Sequence, residues 1–116
     1  MEFYLSTTSF EARRVKLNLE QEFQKEMVQK MTRAKIECKY NPTRFNQMIA
    51  RYGGVETAKR LIDGCIRTGT PSEGYTTLLM AGRTDLTLED SVCNPKYSAL
   101  FTKEEITMCR KLLGKD

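Results

Sequence analysis

The chain has no histidine, no tryptophan, only three prolines and no long apolar run. Each absence removes a class of function. Without histidine there is no Ser-His-Asp or Cys-His nucleophile system, no His-bearing zinc site and no imidazole general base, which favours a non-catalytic protein with no cofactor. The longest apolar run, Leu78-Leu79-Met80-Ala81, is far short of the ~20 residues that span a bilayer, so no membrane role is expected. Met1-Glu2-Phe3-Tyr4-Leu5 lacks the basic and apolar regions of a signal peptide, and a cytoplasmic location is the expectation. Cys38, Cys65, Cys93 and Cys109 form no C-x-x-C pair. They are therefore read as reduced and mostly buried rather than as a metal or redox centre.

What is present describes a folded, mildly basic protein. The 116 residues suffice for one compact domain but not for two cores. Apolar residues make up 40% and charged residues 29%, a balance that supports folding. Leu19, Phe23, Met27, Met31, Ala34 and Cys38 recur at intervals of four or three and paint one stripe on a helix, with Asn18 and Gln21 as its capping pair. Upstream, Ala12, Val15 and Leu19 extend the helical spacing, while Val15, Leu17 and Leu19 alternate as a strand would. Thr8 with Glu11 gives a second capping signal and favours helix, and residues 2–6 are either extended or frayed.

Asn41-Pro42 stops that helix and starts another, with Pro42 at the first helical position and Asn41 as its cap. Phe45, Met48, Ile49 and Tyr52 form the next stripe, ended by Gly53-Gly54. Val55, Ala58, Leu61 and Ile62 form a third, ended by Asp63-Gly64, and residues 67–74 read as a loop. A short helix from about Ser72 to Ala81 stops at Gly82. Another begins at Thr87 and is stopped by Asn94-Pro95. Thr102 and Glu105 open the last as a capping box, with Ile106, Cys109, Leu112 and Leu113 inward. The pattern predicts an all-α, single-domain bundle of about six short-to-medium helices with a longer N-terminal helix. Residues 1–33 form an N-terminal extension and the first part of that helix, residues 34–116 a helical domain, and the two together one folding unit.

Tyr40-Asn41-Pro42-Thr43-Arg44-Phe45, Gly53-Gly54-Val55-Glu56-Thr57-Ala58-Lys59-Arg60-Leu61, Ser72-Glu73-Gly74-Tyr75-Thr76-Thr77-Leu78, Gly82-Arg83-Thr84-Asp85-Leu86-Thr87 and Leu100-Phe101-Thr102 form a string of motifs. Together they resemble a small, uncharacterised family of bacterial helical domains, seen free-standing or attached to larger proteins, some of them defence or nuclease proteins. The resemblance covers roughly residues 34–113 and implies no catalytic residues. Met80-Ala81 and Asp90-Ser91 depart from it where bulkier apolar residues are expected, so the packing there is expected to differ.

The basic surplus is local. Residues 41–70 carry five basic side chains against two acidic ones, whereas residues 71–116 carry six against seven. Arg44, Gln47 and Arg51 share one helix face, and Lys59, Arg60 and Arg67 follow, with Tyr40 and Tyr52 as possible stacking partners. Arginine forks suit phosphate or carboxylate, so these six residues are the candidate surface for nucleic acid or an acidic partner, beside the plain alternative of a solvated helix face. The helix–Gly-Gly–helix arrangement fits a helix-turn-helix only in part, because Arg60 and Asp63 occupy places that should be apolar. Asp85, Glu89 and Asp90, with Glu73, make an acidic cluster whose spacing matches no metal loop. Glu89 and Asp90 are read as helix-capping charges. Phe23, Met27 and Met31 make the first stripe wide enough to serve as core or as a partner or dimer surface, since methionine repacks easily.

The reading that follows is a non-catalytic module docking on nucleic acid or a nucleoprotein in a bacterial defence or mobile-element setting. The alternative is a small phage or mobile-element inhibitor of a defence nuclease, of anti-CRISPR type, acting by protein–protein contact. A carboxylate enzyme using a metal is the least favoured.

Overall fold

Six α-helices and two 3₁₀ segments account for the regular structure of the computed structural model, which describes the backbone of residues 2–115 and the side chains of residues 10–115. No strand occurs among the described residues. The α-helices are α1 (Glu2–Cys38), α2 (Thr43–Tyr52), α3 (Gly54–Thr68), α4 (Glu73–Met80), α5 (Leu88–Val92) and α6 (Lys103–Leu112). The 3₁₀ segments Thr84–Leu86 and Pro95–Leu100 flank α5. No helix of the described residues is long and apolar enough to cross a membrane.

The predicted stripe of α1 is the keel of the fold. Phe23, Met27, Met31 and Ala34 are all buried, and Phe23 meets Tyr97 edge-on at 5.2 Å and Phe101 at 5.1 Å between ring centroids. From Phe10 to Asn18 every side chain is exposed, Phe10, Val15 and Leu17 among them. Asn18 does not start the helix, and neither does Thr8, whose side chain lies outside the described residues. α1 runs unbroken through both positions, because no glycine or proline occurs between Glu2 and Cys38 to interrupt the ladder. It ends at Lys39, which takes a left-handed φ of 57°, and the Tyr40 N–H turns back to the Ala34 carbonyl.

Several other boundaries shift for visible reasons. Pro42 stands one place before the first helical residue, and Asn41 accepts from the Thr43 hydroxyl instead of capping a main-chain amide. Asp63-Gly64 does not end α3. Cys65 and Ile66 continue the apolar stripe from Ile62, so the helix runs on to Thr68 and stops at Gly69, whose φ of 75° an L side chain rarely adopts. The predicted loop shortens accordingly. Side-chain caps open the later helices, and the box read at Thr102 and Glu105 is in place. Ser72 accepts from the Tyr75 N–H and Thr87 from the Asp90 N–H, and Thr102 and Glu105 form the reciprocal box.

α3 packs against α1, α2, α5 and α6, which makes it a central helix. Its first residue sits so close to α1 that a Cβ on Gly54 would lie 2.8 Å from Gln24 Cα and 2.9 Å from Gln24 Cβ, and the Gly54 N–H donates to Gln24 Oε1 at 2.9 Å. The contact involves backbone and cannot be relieved by a rotamer change. Gly54→Ala is therefore expected to push α3 off α1 and cost about 1–3 kcal/mol, read as a lowered urea midpoint with an unchanged slope. A midpoint equal to that of the parent chain would show that the helices separate freely here.

Candidate functional site: an arginine-rimmed groove

α2 and α3 form a hairpin around Gly53, and α4 stands apart from it after the turn at Gly69–Ser72. The space between is a groove of about 800 Å³, within the size range of ligand pockets. Arg44, Gln47 and Arg51 of α2 and Arg60 and Arg67 of α3 all line it, and all five are exposed. Five of the six residues proposed from charge and spacing thus converge on one concavity from two helices.

Their pairing sets them apart from other arginines of the bundle. Arg33 is held by Glu37, Arg83 by Glu37 and Asp85, and Arg110 donates to the Lys115 carbonyl. Arg44, Arg51 and Arg67 have no carboxylate within ion-pair distance among the described residues. Arg60 reaches Glu56 only at 4.0 Å. Tyr52 instead organises two of the guanidinium groups, with Arg60 3.9 Å and Arg51 5.4 Å from its ring centroid. On the α4 side the half-buried Tyr40 lies across Gly74, where a Cβ would come within 3.0 Å of its hydroxyl. Burial, and then Glu73, raise the Tyr40 pKa and keep its hydroxyl protonated.

Lys59 is the exception. Its ammonium turns away from the groove, donates to Glu105 Oε1 at 2.8 Å and lies 5.3 Å from the Phe101 ring centroid. Burial opposes ionisation of Glu105, but the Lys59 ammonium and the Thr102 N–H outweigh it and hold the carboxyl below its usual range. Lys59 is therefore not among the cations that line the groove. Phe23, Met27 and Met31 are likewise not a partner or dimer surface. All three are core residues, packed beneath α3, α5 and the 3₁₀ segments, and Met31 reaches the groove only from below. α3 packs against four other helices yet keeps Glu56, Arg60, Asp63 and Arg67 exposed along one face, so Arg60 and Asp63 are surface residues where a helix-turn-helix would need apolar ones.

The acidic cluster separates into different roles. Asp85 pairs with Arg83, which lowers its pKa, and Asp90 pairs with Lys30 at 3.2 Å and Lys115 at 3.6 Å. No metal-holding group of three or more histidine, cysteine or carboxylate residues occurs among the described residues. Glu89 is the unexpected member. Glu89 does sit in the first turn of α5, as read, but its side of the helix faces inward and the residue is 3% exposed. It lines the groove between Leu88 and the buried floor residues Tyr75 and Leu78. Burial pushes its carboxyl up to about 7, against weaker opposing effects from its own backbone N–H and the more distant Lys30. No ion pair or side-chain hydrogen bond from another described residue reaches it. Lys30 is committed to Asp90 and to the Thr87 carbonyl. The one signal in the sequence was Val92 three residues on, which shares the face of α5 that carries Glu89.

Comparison with protein-family models, curated proteins and solved structures returns no match. The site's chemistry therefore rests on its own geometry. The cysteines add none of it: all four are free, and burial raises the pKa of Cys65, Cys93 and Cys109.

Proposed function

We propose that this chain is a non-catalytic module that binds single-stranded nucleic acid in the groove between the α2–α3 hairpin and α4. The observation that carries the proposal is the convergence of Arg44, Arg51, Arg60 and Arg67 on one concavity, three of them without carboxylate partners among the described residues. Guanidinium forks on a rim match phosphates spaced along a strand. A concave site suits a flexible single strand or an unstacked nucleotide better than the convex surface of a duplex. The motif resemblance of residues 34–113 to domains attached to defence and nuclease proteins supports a bacterial defence or mobile-element setting.

The test is binding of a fluorescent single strand of about 12 nucleotides at about 50 and about 200 mM salt. Four phosphate contacts on a single strand correspond to a log–log salt slope of about −3, and the double substitution Arg44→Ala, Arg51→Ala is expected to reduce it by about 1.4. Absence of binding at low salt ends this reading and turns attention to an acidic protein as the partner of the same surface.

A further inference from the structure

Beneath the arginine rim the groove changes character. Its floor is apolar, formed by Tyr75, Leu78 and Leu88, and contains one nearly buried carboxylate, Glu89. The rim already offers what phosphates need, so the floor must be explained separately. A phosphate would be repelled by Glu89. An apolar peptide side chain would leave the carboxylate without a partner, which is costly at 3% exposure. A nucleobase answers both requirements, because its faces are apolar and its edge carries hydrogen-bond donors.

We infer that the floor of the groove is a base pocket in which the Glu89 carboxylate accepts hydrogen bonds from the Watson–Crick edge of a guanine in the bound single strand. Guanine alone among the four bases presents two adjacent donors there, N1–H and the N2 amino group, matching the two carboxylate oxygens. Adenine and cytosine place a ring acceptor beside their single amino group, and that acceptor would face a carboxylate oxygen. Thymine and uracil flank one donor with two carbonyls. The inference rests on the single-strand reading above and adds base selectivity to it.

The groups around Glu89 leave it as the titrating partner between about pH 5 and pH 8. Lys30 comes from α1, Cys65 from α3, Tyr75 from α4, Cys109 from α6, and Asp90 and Cys93 adjoin it in the chain. The three thiols and the Tyr75 phenol are all pushed upward by burial, away from that range. Two guanine donors favour the anion, so binding guanine releases a proton from Glu89 and the selectivity weakens as pH falls.

The experiment compares four oligothymidine strands of about 12 nucleotides, identical except for a central guanine, adenine, cytosine or thymine, binding to the parent chain and to Glu89→Gln. The guanine strand is expected to bind the parent chain about tenfold more tightly at about pH 8, an advantage lost at about pH 5.5 and in Glu89→Gln. Hypoxanthine in place of guanine removes one donor and is expected to fall between guanine and adenine. Retained binding of the all-thymidine strand by Glu89→Gln, with the same salt slope, shows that the variant is folded and the rim intact. Equal, salt-dependent affinity for all four strands overturns the guanine pocket and leaves the arginine groove standing. A guanine preference that survives in Glu89→Gln also overturns it. Failure of every strand to bind overturns the single-strand reading itself.

Discussion

Glu89→Gln is expected to stabilise the fold by about 2–3 kcal/mol at about pH 8 and to change it little at about pH 4.5. The carboxyl titrates at about 7 in the folded chain because burial disfavours its anion, against about 4.3 in an unfolded one. Between those values the folded state retains a proton that the unfolded state has released, so stability falls as pH rises through the window. The separation corresponds to about 4 kcal/mol, and glutamine removes it while keeping nearly the same shape, less the cost of seating a new amide. The lowered carboxylates Glu37, Asp85 and Glu105 act with the opposite sign, and their contribution is lost only as pH falls below the range of ordinary carboxylates. Asp63, raised first by burial and then by Glu105, adds a smaller slope of the same sign as Glu89 and persists in the variant. Urea midpoints of the two chains across this range decide the matter. Parallel profiles would mean that Glu89 is solvated. A carboxylate that destabilises its own fold at neutral pH and lines a groove fits a binding role better than a structural one.

Much of this architecture was legible because the signals were local. The helix starts at Thr87 and Thr102 each needed only residues within three positions. The arginine face of α2 followed from helical period alone. What failed depended on neighbours distant in sequence. Asp63-Gly64 has the composition of a helix stop, yet Cys65 is anchored in the core, and tertiary packing overrides a weak local preference. Lys59 was grouped with Arg60 by adjacency, but successive helical residues point about 100° apart. One meets Glu105 of α6 and the other the open groove. The burial of Glu89 was missed for a related reason. A first-turn glutamate normally serves the helix dipole in water, and only the surrounding α1, α3, α4 and α6 turn this one into a buried group. The groove itself lay beyond any sequence reading, since α4 forms its second wall without helical contact periodicity to announce it.

The largest loss of stability is expected from Phe23→Ala. Phe23 is fully buried, and its ring meets Tyr97 within the second 3₁₀ segment and Phe101 just after it. Removing it deletes apolar area, leaves a cavity and abolishes two aromatic contacts, for a cost of about 3–5 kcal/mol. Typical domains hold only about 5–15 kcal/mol in total, so the variant sits near the unfolding threshold. The same α1 surface makes polar attachments that do not compensate. Glu26 accepts from the Ser91 hydroxyl and from the Tyr97 hydroxyl at 3.1 Å, but the second bond needs Tyr97 held in place by Phe23. Thermal unfolding by circular dichroism measures the effect. Exposed Val15→Ala or Leu17→Ala, on the same helix, should shift the midpoint by no more than a degree or two. The contrast separates two views of residues 1–33. If they were only an appendage to the bundle, Phe23→Ala would behave like the exposed controls. If the second half of α1 is the keel on which α3, α5 and the 3₁₀ segments are laid, the groove is lost with the fold, because Met31 of the same stripe supports its floor.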